Sequence, residues 1–336
     1  MLESKRKNCL EIFINSINLL KEGLITSRKP SVIIPYRGPE VQEGTTDIFL
    51  YLRPETNGVN VEKCIFRVLH NVPLYKEKVS LVYLANLPGE FIVENQVIKK
   101  HYAVRTHFAQ KGKAGMTEGM RRHFQVFFGI PWEKAKILGA YEALEEFHLT
   151  ESQLFDLWVP PYDILISCGQ IIKRKEDIFI INYDIPALLQ KNNADTDIAA
   201  MILRFKLDTT RIRTCLEEIR QSLVLDGILD PMKPPARVFH FSKSPFDLIQ
   251  DAMGHLTDQE GKLMGWQVSS FGRYLAEKGM RDETVENLIR FPIVQFEVKG
   301  VGIIEENIHV ATADFSYEEA WQKFATSVGQ ISWEES

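Results

Sequence analysis

Three side chains spaced by helical turns carry the chemistry that can be read first. Glu94, His101 and Arg105, placed on a wheel of about 100° per residue, fall inside one apolar arc. A carboxylate orienting an imidazole, beside a guanidinium that holds an anion, is equipment for acid–base work on a phosphorylated small molecule. In that reading His101 is the acid/base, Glu94 orients it, and Arg105 or Arg53 binds phosphate. The same groups also pair with one another as a structural network, because polar residues in a core-facing arc need partners. The spacing supports both readings.

These residues border the most basic stretch of an acidic chain. Residues 99–123 hold seven Lys/Arg, three of eight histidines and one acid, Glu118, within 336 residues of net charge −5. Charge gathered like this costs self-repulsion and points to an anionic ligand or partner. Lys111 and Lys113 sit in a glycine-punctuated loop, KGKAGMTEG, and Arg121 and Arg122 follow it. Those four form the outer half of the cluster, placed to close over phosphate or to track a nucleic-acid backbone. Tyr102, Phe108, Phe124, Phe127 and Phe128 interleave with the cations, as in single-strand binders, although helical spacing also suits them to a core. Arg53 and Asn57 are added because RPETNG follows a strand, and ligands favour the crevice beyond strand carboxyl ends.

Near misses exclude several chemistries. Gly254 to Leu263 imitates a phosphate-cradling loop, but six residues separate its glycines instead of four, and Leu263 replaces the metal-binding hydroxyl. Asn193-Ala194-Asp195-Thr196-Asp197 starts like a calcium loop, yet Ile198 occupies the position of the turn glycine. Helix capping by Asp195 or Asp197 is the expected role. There is no GxGxxG, GxSxG, HExxH or zinc-spaced His/Cys set, so no cofactor and no metal are expected.

The elements that must position these groups come from periodicity. DIFLYL and VSLVYLAN read as strands around a helical VNVEKCIFRVLHN, which predicts a parallel βαβ unit. One long helix is expected from Glu90 to about Gln110 and another over 118–128; residues 132–147 read as helix, or strand then helix. Thr150-Glu151-Ser152-Gln153 and Ser316 to Glu319 have the form of capping boxes, the second opening a helix expected to bury Trp321, Phe324 and Val328. DILISCGQIIKR and DIFIINY form a β-hairpin across Lys175-Glu176, with Gly169 as a bulge. The expected class is α/β, with α+β as the alternative. It divides into an amphipathic N-terminal helix (1–30), an α/β domain with the basic helix-loop (31–150), a helix-plus-hairpin connector (151–190) and a mainly helical domain (191–336).

Within that last part, DTDIAAMILRF, TTRIRTCLEEIRQSLVLDG, GILD, PMKPPAR and VFHFS follow one another as helix, helix, strand, turn and strand. The order resembles a winged helix, which implies a second helix presenting Thr210, Arg211, Arg213 and Thr214 to a major groove and a wing carrying Lys233 and Arg237. The net charge over 191–243 is only +2, weak for a duplex binder. Four scattered cysteines, no Asn-x-Ser/Thr acceptor and no apolar run of about 20 residues predict a cytoplasmic protein without a membrane span. The expectation is a binding or regulatory protein that recognises a nucleotide-like or nucleic-acid anion through residues 99–123. The alternatives are the His101/Glu94/Arg105 enzyme and a scaffold that meets an acidic protein partner.

Overall fold

Period-two alternation builds the sheet that matters most. The computed structural model describes residues 28–38, 44–54, 58–232 and 238–333. Its strands are β1 (Ser31–Ile34), β2 (Thr46–Leu52), β3 (Val79–Pro88), β4 (Lys136–Gly139), β5 (Ile164–Ser167), β6 (Gln170–Lys175), β7 (Ile178–Ile181), β8 (Asp197–Phe205), β9 (Phe239–Phe241), β10 (Ile293–Val298), β11 (Gly302–Asn307) and β12 (Ser327–Gln330). The chain divides into two units, each discontinuous in sequence. Unit 1 comprises 1–95, 192–242 and 251–273; unit 2 comprises 96–191, 243–250 and 274–336. The expected helix over 1–30 lies almost wholly outside the described residues.

Unit 1 is a five-stranded sheet in the order β1-β3-β8-β2-β9, antiparallel at every pairing. The crossover from β2 through helix Val59–Asn71 to β3 exists, but β8 inserts between the two strands. The predicted parallel pair is therefore replaced by two interleaved β-α-β halves. The second half runs β8, helix Thr209–Leu225, β9. Both helices cover one sheet face, where Leu50, Leu52, Met201, Leu203 and Phe239 pack against Ile65, Ile219 and Leu223. The alternate positions, Asp47, Phe49, Tyr51, Tyr83, Arg204 and His240, point to the other face.

The order of β8 corrects the winged-helix reading. Residues 197–205 are a central strand, not a first helix. Its run of apolar residues is buried on both faces, and such a run carries no period that separates strand from helix. Asp195 and Asp197 consequently cap no helix; the Asn193 side chain instead accepts from the Asp195 amide in a turn. VFHFS does contain a strand, β9, but it pairs with β2 and builds no wing. Lys233 and Arg237 lie outside the described residues. Residues beyond 191 contribute five strands alongside their helices.

Unit 2 holds a four-stranded sheet, β4-β7-β6-β5, and a three-stranded one, β11-β10-β12. Here the parallel pair is β4 with β7. Both capping boxes form as read, at Thr150/Gln153 and Ser316/Glu319, but Val328 lies exposed on β12 and not in the helical core. The predicted hairpin across Lys175-Glu176 is present as β6–β7. Gly169 is no bulge. With Cys168 it forms the two-residue turn of a β5–β6 hairpin, both residues at positive φ (48° and 77°), as a type I′ turn requires.

Candidate functional site

The predicted residues do not share one helix. Residues 89–111 form three short helices, Gly89–Glu94, Val97–His101 and Ala103–Lys111, broken where Gln96 takes a left-handed conformation (φ 54°). The break removes the single wheel on which Glu94 and His101 shared an arc. Glu94 is exposed in unit 1, and His101 belongs to unit 2. Arg105 ends on Asp184 at 2.7 Å, with side chains only 22% and 13% exposed. Asn182 closes that network, donating to the Arg105 carbonyl and to Gln170.

Of the outer cations, Lys113 donates to the Ala135 carbonyl (2.8 Å) and lies over the Trp132 ring. Arg121 donates to the Met116 carbonyl and faces the same ring. Arg122 pairs with Glu118 at the surface, and Lys111 is exposed. Asn57 lies outside the described residues.

Arg53 has different company. It follows Tyr51 by two positions and so shares its sheet face. The Arg53 guanidinium carbon stands 5.5 Å from the Tyr51 ring centre, and the Arg53 amide donates to the Val238 carbonyl at 2.9 Å. Register places His240 of β9 directly opposite Tyr51, where the two rings stack at 4.7 Å. His240 Nε2 meets Asp251 Oδ2 at 3.1 Å; the Asp251 side chain is wholly buried, while that of His240 is 21% exposed. An ionised carboxylate can only accept, so in this contact Nε2 is the donor.

Asp251 and His255 lie one turn apart on helix Pro245–His255. His255 is fully buried, stacks on Tyr51 at 4.6 Å, and its Nδ1 donates to the Asp251 carbonyl at 3.0 Å. Burial is the main cause of a pKa pushed down to about 4, partly offset by the bond to the Asp251 carbonyl and aided by the nearby His240 and Arg53. It therefore stays neutral near pH 7. Tyr83 fixes the end of this helix by donating to the His255 carbonyl and accepting from the Thr257 amide, each at 3.1 Å.

Sequence reading reached Arg53 but missed His240, Asp251 and His255. One local signal was present: Asp251 and His255 stand at i and i+4, inside the stretch whose later part imitates a phosphate loop. That later part is a small turn closed by the Thr257–Leu263 bridge, with the Asp258 side chain accepting from the Glu260 and Lys262 amides. Among the described residues no helix is long and apolar enough to cross a membrane. No protein-family model, curated protein or solved structure matches the chain.

Proposed function

We propose that unit 1 binds a small anionic molecule, phosphorylated or carboxylated, over the Tyr51–His240 face, and that His240 exchanges a proton with it. The observation that carries this is the wholly buried Asp251 carboxylate on Nε2 of a part-exposed His240. Such a carboxylate holds the ring in one orientation and supports an imidazole that gains and loses a proton. Arg53, on the same face, supplies charge for the anion. This keeps the chemistry expected of an enzyme acting on a phosphorylated molecule and moves it from His101, Glu94 and Arg105 to His240, Asp251 and Arg53. A small ligand is favoured over a polynucleotide because Arg105, Lys113 and Arg121, which a phosphate backbone would need, are held by groups within unit 2.

The test is a thermal-shift screen of the full chain against phosphorylated and carboxylated metabolites, since a ligand of the folded state raises apparent stability. Hits should lose their shift in Arg53→Gln. Asp251→Asn should lower any turnover of a hit much more than its binding. Hits that survive both Arg53→Gln and His240→Gln would remove this face as the site.

A further inference from the structure

Unit 2 contains a cleft of about 560 Å³ whose lining includes residues 303–307 of β11 and 166–168 at the end of β5. Consecutive residues of a strand send their side chains to opposite faces. A cleft touched by every residue in succession therefore runs along the strand's backbone edge and not over one face. Both strands have such an edge to offer, because β5 and β11 are each outermost in their sheets. An edge strand presents unpaired N–H and C=O groups, the template for another strand.

The side chains around these edges fit an extended occupant. Ile166, Val301, Ile303 and Val310 line the same cleft and remain 60%, 70%, 45% and 56% exposed. On β11 the Glu305 carbonyl accepts a bond from Cys168 Sγ at 3.5 Å, and a thiol is a weak donor. Cys168 reaches it from the first central position of the I′ turn, where glycine, asparagine or aspartate are preferred. Burial, then the Glu305 and Glu306 charges, push its pKa up to about 12, so the thiol stays protonated.

Charge narrows the partner further. Arg122 is paired with Glu118, and Lys323 with Glu306. Glu305 accepts from the Gly119 amide at 3.0 Å and, among the described residues, has no cationic partner. A Cβ at position 119 would stand 2.7 Å from the Glu305 carboxylate and would force that side chain to shift.

We propose that this cleft takes an extended segment of a partner protein, added as a strand to β11. Its N–H replaces the Cys168 thiol on the Glu305 carbonyl, alternate apolar side chains cover Ile303 and Val301, and a lysine or arginine pairs with Glu305. This is strand addition, with main-chain bonds giving affinity and alternate side chains giving specificity.

The experiment uses the full chain and two fluorescein-labelled hexapeptides, Thr-Lys-Thr-Val-Thr-Val and Thr-Glu-Thr-Val-Thr-Val, whose charged residue and valines share one strand face, followed by anisotropy. The lysine peptide should bind about tenfold tighter than its glutamate counterpart, because like charge beside Glu305 is repelled. Methylating alternate backbone nitrogens of the lysine peptide should abolish binding without any change to the protein. Glu305→Gln should erase the preference between the peptides while leaving both bound. No binding of either peptide, or binding indifferent to backbone methylation, overturns strand addition. Equal affinity for the two peptides in the unsubstituted chain overturns the assignment of Glu305.

Discussion

In the basic segment of unit 2, Arg105, Lys113 and Arg121 each end on a partner inside their own unit. On the Tyr51 face of the unit 1 sheet, Arg53 and His240 come from separate stretches to one tyrosine, and Asp251 meets His240. The first region is conspicuous in sequence because like charges are adjacent there. The second is inconspicuous because β-register and a distant helix bring its members together. Three of the concentrated charges are thus held within the fold of their own unit, and the proposed site is built from dispersed residues.

The comparison breaks first if buried charge in unit 1 proves dispensable. Arg204 and Asp47 face each other across β8 and β2 and pair twice, at 2.7 and 2.9 Å, with side chains 6% and 1% exposed. Tyr36 adds a third bond to the same carboxylate. Arg204→Ala leaves a buried carboxylate without its guanidinium and should cost about 3–5 kcal/mol, read as a shift in the urea midpoint. A loss under about 1 kcal/mol would place this pair with the surface bridges of the basic segment.

Titration sharpens the contrast next. Glu62 is buried beside Asp197, and burial followed by that charge raises its pKa from 4.5 to about 7. The folded state keeps a proton that the unfolded chain releases, so this group lowers stability as pH rises from about 4.5 to about 7. His255 runs the other way: its depressed pKa, about 4 against 6.5, makes stability fall as pH drops through that interval. The two slopes oppose each other between about pH 4.5 and 6.5. Glu62→Gln should therefore uncover the His255 slope and gain up to about 3 kcal/mol at pH 8. Calorimetric melting from pH 4 to 8 checks this: a profile unchanged by Glu62→Gln would refute the Glu62 assignment, and a variant whose stability does not fall between about pH 6.5 and 4 would refute that of His255.

Such couplings were not legible in the chain, and the reason is physical. Strands β2 and β3, the 118–128 helix and both capping boxes depend on neighbours within a few residues, and sequence pattern located them. β8 was misread because Ile198 to Leu203 is apolar throughout, which a strand buried on both faces shares with a buried helix. The long helix over 90–110 failed at Gln96, whose left-handed backbone has no glycine or proline to announce it. Of the unit 1 site, Arg53 was visible from its place after a strand, while Asp251 and His255, one helical turn apart, were passed over. His240 was not, because only the pairing of β9 with β2 brings it to Tyr51.

Within unit 2 the basic segment itself should split by burial. Arg105→Gln removes a mostly buried ion pair and disturbs the Asn182 network, at a cost of about 1–3 kcal/mol. Arg122→Ala should cost less than about 0.5 kcal/mol, because Arg122 and Glu118 are 65% and 61% exposed and salt screens what attraction remains. Urea melts at low and high salt separate the two. The Arg105 loss should persist in high salt, since a pair shielded from solvent is little screened, and the small Arg122 effect should vanish. A loss at Arg122 as large as that at Arg105 would mean that this outer cation, too, serves the fold, and would leave Lys111 as the outer cation still open to a ligand.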